Sequence, residues 1–120
     1  MAAMPWEPAL LRGYVAKAQE RGILVCADEI MCGLGRHGKP GGLFLSQCWD
    51  VKPDAVTFGK AIGGGVFPLS GVILRRGAAA LGVSGRSALQ SHTYSGSSSL
   101  ALHAAAEMLD TVPEWQPHIA

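Results

Sequence analysis

Charged side chains are scarce in this chain of 120 residues, where they make up 16% of the sequence against 48% hydrophobic residues. Ten lysines and arginines stand against nine aspartates and glutamates, which leaves a formal net charge of +1. The lack of a basic excess argues against a nucleic-acid-binding protein and against a polybasic membrane anchor. No apolar run approaches the length of a membrane span, so the sequence predicts no transmembrane helix. The low charge instead indicates apolar surface that another part of a protein covers.

Cysteine is also sparse, with three residues that form no CxxC pair. Their odd number and their spacing argue against a disulfide framework and against a zinc site, and favour a reducing compartment. The first residues lack the basic and apolar regions of a signal peptide. We therefore predict a cytoplasmic protein without a metal site, and leave a mitochondrial location open.

Two segments have the pattern of helices. Residues 8–22 carry apolar side chains at helical spacing, and Gly22 stands where a helix commonly ends in a left-handed residue. Residues 98–110 are rich in alanine and leucine, and Ser97 or Ser98 is the expected N-cap.

Short apolar runs between these helices predict strands at residues 23–27, 54–58 and 69–74, and the first two are expected to be buried. The order of elements predicts an α/β fold with a mostly parallel sheet and flanking helices. Residues 112–120 contain two prolines and are expected to complete no further element.

Two nucleotide-binding motifs are present only in part. Residues 33–38 spell GxGxxG, but residues 28–32 separate them from the preceding strand and no apolar helix follows. Gly59 and Lys60 match the end of a P-loop, yet Asp54 and Ala61 replace the other residues that the motif requires. Neither motif therefore supports a nucleotide site.

Asp28 and Lys60 each follow a predicted strand, where open α/β sheets bind their ligands. They could be structural, with Asp28 capping a turn and Lys60 solvated in a loop. However, "GKAIGGG" surrounds Lys60 with little bulk, so a flat ligand could approach the backbone. A lysine in an apolar pocket becomes a nucleophile toward carbonyl carbon, and a buried aspartate can hold a cationic ring nitrogen. Pyridoxal 5'-phosphate (PLP) needs both groups.

Three successive blocks of the chain resemble the class III PLP-dependent aminotransferases, the ω-amino-acid aminotransferase family. The blocks are "LVCADEIMCGLGRHG", "PDAVTFGKAIGGGVFPLSGVIL" and "HTYSGSSSLALHAAAEML". Their order and spacing match as well, and they span nearly the whole chain. The resemblance implies that residues 1–120 are part of the large cofactor-binding domain of a fold-type-I PLP enzyme, with N-terminal and C-terminal parts lying outside this sequence.

The family's roles carry over residue by residue. By resemblance, Lys60 forms the Schiff base with PLP and shuttles the proton, and Asp28 pairs with the pyridine nitrogen. Ile30 packs against one face of the ring, and Thr93 binds the cofactor phosphate across a dimer interface. The resemblance thus implies a homodimeric enzyme that moves an amino group from an amine or amino acid to a keto acid or aldehyde.

Two alternatives stay open. A PLP-dependent aminomutase or decarboxylase would use the same lysine and aspartate. A truncated, non-catalytic remnant of such an enzyme would also keep these motifs, so the activity of the 120-residue chain by itself is left open.

Overall fold

The structure, a computed structural model, describes residues 6–76 and 98–119. Its helices are α1 (Pro8–Glu20), α2 (Leu45–Cys48) and α3 (Ser99–Trp115). Its strands are β1 (Cys26–Asp28), β2 (Ala55–Phe58) and β3 (Gly71–Leu74), and 3₁₀ turns cover Lys60–Gly63 and Gln116–His118. No helix in these two ranges is long and apolar enough to cross a membrane.

The strands form one sheet in the order β1-β2-β3, which confirms the α/β class. β1 and β2 are parallel, whereas β2 and β3 are antiparallel, so the described sheet is mixed. The reason lies in the connection from β2 to β3. It contains a 3₁₀ turn and no α-helix, whereas the crossover of a parallel pair is usually a helix that packs on the sheet. Gly64 and Gly65 adopt positive φ angles there and turn the chain back.

The strand predicted at residues 23–27 is shorter than expected and begins at Cys26. Ile23 still belongs to the end of α1, since its N–H donates to the carbonyl of Ala18 at 3.0 Å while Gly22 donates to Gln19 at 2.9 Å. These two bonds form a Schellman motif with Gly22 in the left-handed position, as its sequence position predicted. Ile23 and Leu24 are more than half exposed, Cys26 is exposed as well, and none of residues 23–27 is buried, so the expected burial of this run on both faces was wrong.

Helix α3 begins as predicted and ends later than predicted. The Ser98 side chain accepts a hydrogen bond from the N–H of Ala101 at 3.3 Å, which makes it the N-cap. The helix continues through Pro113 to Trp115, and a 3₁₀ turn follows. The expectation that residues 112–120 complete no element was therefore wrong. Proline removes one backbone donor but its fixed φ angle is compatible with a helix.

A small core joins the helices to the end of the sheet. Leu34, Phe44, Ile62 and Ala105 are buried together. Helix α3, which carries Ala105, packs against the 3₁₀ turn that begins at Lys60. This packing fixes the turn that follows β2, and with it the backbone of the lysine.

Candidate active site

Asp28 is the last residue of β1 and lies beside Thr57 of the neighbouring strand. The hydroxyl of Thr57 donates to Asp28 Oδ1 at 3.1 Å, and the backbone N–H of Ile30 donates to the same oxygen at 3.1 Å. The aspartate therefore does cap a turn, as the structural alternative proposed. Both of these bonds use Oδ1, so the described residues hold the carboxylate by one side. The side chain is exposed within the described chain.

Lys60 has an unusual backbone conformation, with a φ angle of 50°. A non-glycine residue in the left-handed region costs about 1–3 kcal/mol, and such residues cluster at functional sites. The buried side chain of Ile62, two residues further on, anchors the turn against the core. The lysine side chain itself is exposed. The fold thus holds the backbone in a strained shape while the amine stays accessible.

Asp28, Ile30 and Lys60 line one open pocket of about 830 Å³. The sequence placed Asp28 and Lys60 at strand ends that could face one ligand, and the structure brings both to this pocket. A second lysine, Lys39, lines it as well. The remaining lining residues are Trp6, Leu11, Met31, Cys32, His37, Leu45 and Trp49. Aromatic and aliphatic side chains thus surround the carboxylate and the two amines.

Ile30 lies close to the start of the turn that carries Lys60. A Cβ atom built on Gly59 would lie 3.9 Å from Ile30 Cγ2, so Ile30 is a close neighbour of the residue that precedes Lys60. Arg36 supports the loop that carries Ile30. Its guanidinium donates to the carbonyl of Gly33 at 3.3 Å and to the carbonyl of Ile30. These two bonds anchor the glycine loop to the residues that precede it.

Thr93, the fourth predicted site residue, lies outside the described residues. Glu29 was not predicted from the sequence, yet it is 4% exposed and accepts hydrogen bonds from both backbone and side-chain donors. One signal could have found it. Side chains alternate along a strand and its extension, so a residue between two pocket residues should point the other way.

Cys32 lines the pocket, and its thiol lies next to the carboxylate of Glu29. Its thiol donates to Glu29 Oε2 at 3.0 Å. Burial, together with this hydrogen bond and the negative charge of Glu29, raises the pKa of the Cys32 thiol to about 11. The thiol is therefore protonated at neutral pH, so it acts as a hydrogen-bond donor and is a poor nucleophile.

A parallel strand pair whose carboxyl ends present an acid and an amine to one pocket is typical of a cofactor-binding α/β domain. Comparison with known proteins identifies the family within this class. A family model described as "Aminotransferase class-III" matches residues 2–117. The chain therefore belongs to the class III aminotransferases, as its motifs predicted.

Individual relatives agree with this assignment. Ornithine aminotransferase 2 of Staphylococcus aureus is 54% identical over 54 residues, which are 45% of this chain and 13% of that protein. Acetylornithine aminotransferase from Elizabethkingia anophelis is 27% identical with a TM-score of 0.76, over 92% of this chain and 28% of that one. Taurine:2-oxoglutarate aminotransferase from Bifidobacterium kashiwanohense, determined in complex with PLP and glutamate, is 35% identical with a TM-score of 0.72, over 85% of this chain and 22% of that one.

These likenesses confirm the fold-type-I expectation for the described elements. The matched part of the chain spans only about an eighth to a quarter of the length of these relatives.

Proposed function

We propose that this segment forms the lysine and aspartate side of the PLP site in a transaminase. The observation that carries the proposal is the shared pocket of Asp28, Ile30 and Lys60. Family membership and the named aminotransferase relatives support transamination over the aminomutase and decarboxylase alternatives. The donor would be an amine or amino acid and the acceptor a keto acid or aldehyde.

The residues present fit the cofactor. The pocket is open and of the volume that cofactor sites have, and its walls are largely apolar with a few charged groups. The described residues hold the Asp28 carboxylate through Oδ1. This orients the carboxylate so that its other side can face a binding partner. The exposed amine of Lys60 can reach an electrophilic carbon in the pocket.

Each residue then has a distinct role. When bound, PLP supplies an aldehyde carbon and an electron-accepting ring. Lys60 would attach to that carbon and later take and return the substrate proton as a general base. Asp28 would keep a proton on the ring nitrogen by its negative charge. Ile30 would pack on one ring face.

The role of Thr93 and the homodimeric state rest on the family alone. Thr93 would bind the cofactor phosphate of a neighbouring subunit, which requires a homodimer. We propose both for the full-length protein that carries this segment.

Lys60→Ala in such a full-length protein tests the proposal, with Lys39→Ala as the matched control because Lys39 lines the same pocket. We expect Lys60→Ala to abolish amino transfer from a panel of amino acids to 2-oxo acids. Lys39→Ala should keep turnover. Loss of turnover only in the Lys39 variant would contradict the assignment of the lysine.

A further inference from the structure

Glu29 is a buried carboxylate between two pocket residues. Asp28 and Ile30 line the pocket, whereas Glu29 is 4% exposed and lines only a smaller cavity of about 230 Å³, which shares Asp28 and Cys32 with the pocket. The proposed chemistry gives Glu29 no role. A buried charge nevertheless requires good partners, because its removal from water is costly.

The carboxylate of Glu29 has three donors. Oε1 accepts from the backbone N–H of Ser46 at 2.7 Å, and Oε2 accepts from the backbone N–H of Leu45 at 3.0 Å. Oε2 also accepts from the thiol of Cys32 at 3.0 Å. Two of these partners, Leu45 and Cys32, line the pocket themselves. The buried carboxylate thus fixes the distance between two parts of the pocket wall.

The backbone of Glu29 makes two more links. Its N–H donates to the carbonyl of Thr57 at 3.0 Å, and its carbonyl accepts from the N–H of Gly33 at 2.7 Å. A Cβ atom on Gly33 would lie 2.7 Å from that carbonyl oxygen, so only glycine permits this close approach. Thr57 is also the residue whose hydroxyl holds Asp28. One residue therefore connects β2, the glycine loop and the start of α2.

The three donors require a carboxylate. Glutamine has one acceptor oxygen, so its NH₂ group would face either the N–H of Leu45 or that of Ser46. One buried backbone donor would then lose its partner, and the two N–H groups would repel. The loop would shift to relieve this, and it would carry Asp28 and Ile30 with it.

We propose that Glu29 is a positioning residue that holds Asp28 and Ile30 in the geometry that the cofactor ring requires. The proposal rests on the proposed function, because it assumes that Asp28 faces the ring nitrogen. Glu29 itself touches neither the cofactor nor the substrate. It acts through the backbone on either side of it and through Leu45 and Cys32.

Glu29→Gln in a full-length protein carrying this segment tests the proposal, and Asp54→Asn is the matched control. Asp54 is also a buried carboxylate, at 3% exposure, and it accepts from the N–H of Val25, from Gln19 and from Arg75. It does not line the pocket. Both variants lose a buried acceptor, but only one loses it beside the site.

Two readouts separate positioning from general stability. The first is the dissociation constant for PLP, and the second is the pH midpoint of the visible absorbance of the bound cofactor. We expect Glu29→Gln to raise the dissociation constant about fivefold or more, the factor that corresponds to the lower end of the cost of a buried unpaired donor, and to shift the midpoint. Asp54→Asn should change neither, although urea should unfold both variants more easily.

Unchanged cofactor affinity and midpoint in Glu29→Gln would overturn the proposal, as would equal changes in Asp54→Asn. If Glu29→Gln yields no soluble protein, the pair Glu29→Asp and Asp54→Glu decides by the same two readouts. Reduction of the wild-type protein with borohydride keeps the two proposals apart. If Lys60 carries the PLP label but the Glu29 substitution changes neither readout, only the positioning role is rejected. If Lys60 carries no label, the proposed function is rejected.

Discussion

At the scale of single residues, the site depends on backbone positions that fix two exposed side chains. Lys60 has a left-handed φ angle in the turn after β2, which buried Ile62 anchors to the core. Asp28 is oriented by Thr57 on the next strand and by the N–H of Ile30. The direct hydrogen bonds to Asp28 and the buried anchor of the Lys60 turn thus come from neutral groups.

We expect Asp28→Asn to keep PLP binding and to lose most turnover. A neutral amide cannot hold the proton on the ring nitrogen, so the electron sink weakens. The lost charge interaction corresponds to a decrease of about 10²-fold or more in rate. Single-turnover rates with an amino donor measure this directly. Asp50→Asn, an exposed aspartate outside the pocket, is the control, and half-reaction rates in Asp28→Asn that equal those of the control would refute the role.

At the scale of elements, a buried carboxylate ties α1, β1 and β3 together. Asp54 accepts from Gln19 of α1, from the N–H of Val25 before β1, and from Arg75 after β3. The hydrogen bonds from Val25 and Gln19, with the charge of Arg75, lower the pKa of Asp54. Asp54, which directly precedes the central strand β2, therefore links that strand to the two strands on either side of it.

Asp54→Asn should lower the free energy of unfolding in a pH-dependent way. The folded-state pKa of Asp54 lies below the unfolded value of about 3.9, so its contribution is present above that pH. The contribution is lost as the pH falls through the folded-state pKa. Urea unfolding of a full-length protein from pH 7 downward should show a constant difference between wild type and variant until about pH 4, and then a shrinking one. A difference that grows on acidification would show that the sign is wrong.

The sequence predicted some elements well because their signals are local. Gly22 and Ser98 were identified as helix boundaries, since a left-handed position and a side-chain cap depend on a few neighbouring residues. The parallel pairing of the first two strands also followed from their apolar runs. The antiparallel β3 did not, because strand direction depends on how the chain between residues 59 and 70 folds in three dimensions.

The residues of the site also divide into those that have a local sequence signal and those that do not. Asp28 and Lys60 were predicted because strand ends and a glycine loop mark a ligand site, and Ile30 followed from the family motif. Glu29 was missed because its role depends on donors from Leu45 and Ser46, 16 and 17 positions away in the sequence. Alternation along the strand indicates only that Glu29 points away from the pocket, whereas its contacts with these distant residues have no signature in a single sequence.

At the scale of the whole molecule, much apolar surface is exposed. On α1, Leu10 and Tyr14 are each more than half exposed, as is Leu100 at the start of α3. The side chains of Val72, Ile73 and Leu74 on β3 are 42–49% exposed. Contiguous exposed apolar surface marks interaction sites or aggregation hazards. Within the described residues β3 is an edge strand of the sheet, and edge strands add to this tendency.

We therefore expect the isolated 120-residue chain to self-associate or to fold poorly, and to bind PLP weakly. Analytical ultracentrifugation gives its state of association, amide hydrogen exchange gives the protection of its backbone, and absorbance after PLP addition gives cofactor binding. A monodisperse, well-protected chain that binds one equivalent of PLP would show instead that these residues form a self-sufficient domain.

The most direct test of the central claim is to locate the lysine that binds PLP. A full-length protein carrying this segment is mixed with PLP, reduced with borohydride, digested and analysed by mass spectrometry. The account predicts a pyridoxyl group on Lys60, which lines the pocket with Asp28 and Ile30. A label on Lys39, which lines the same pocket, or on Lys17 or Lys52 instead of Lys60, would contradict it.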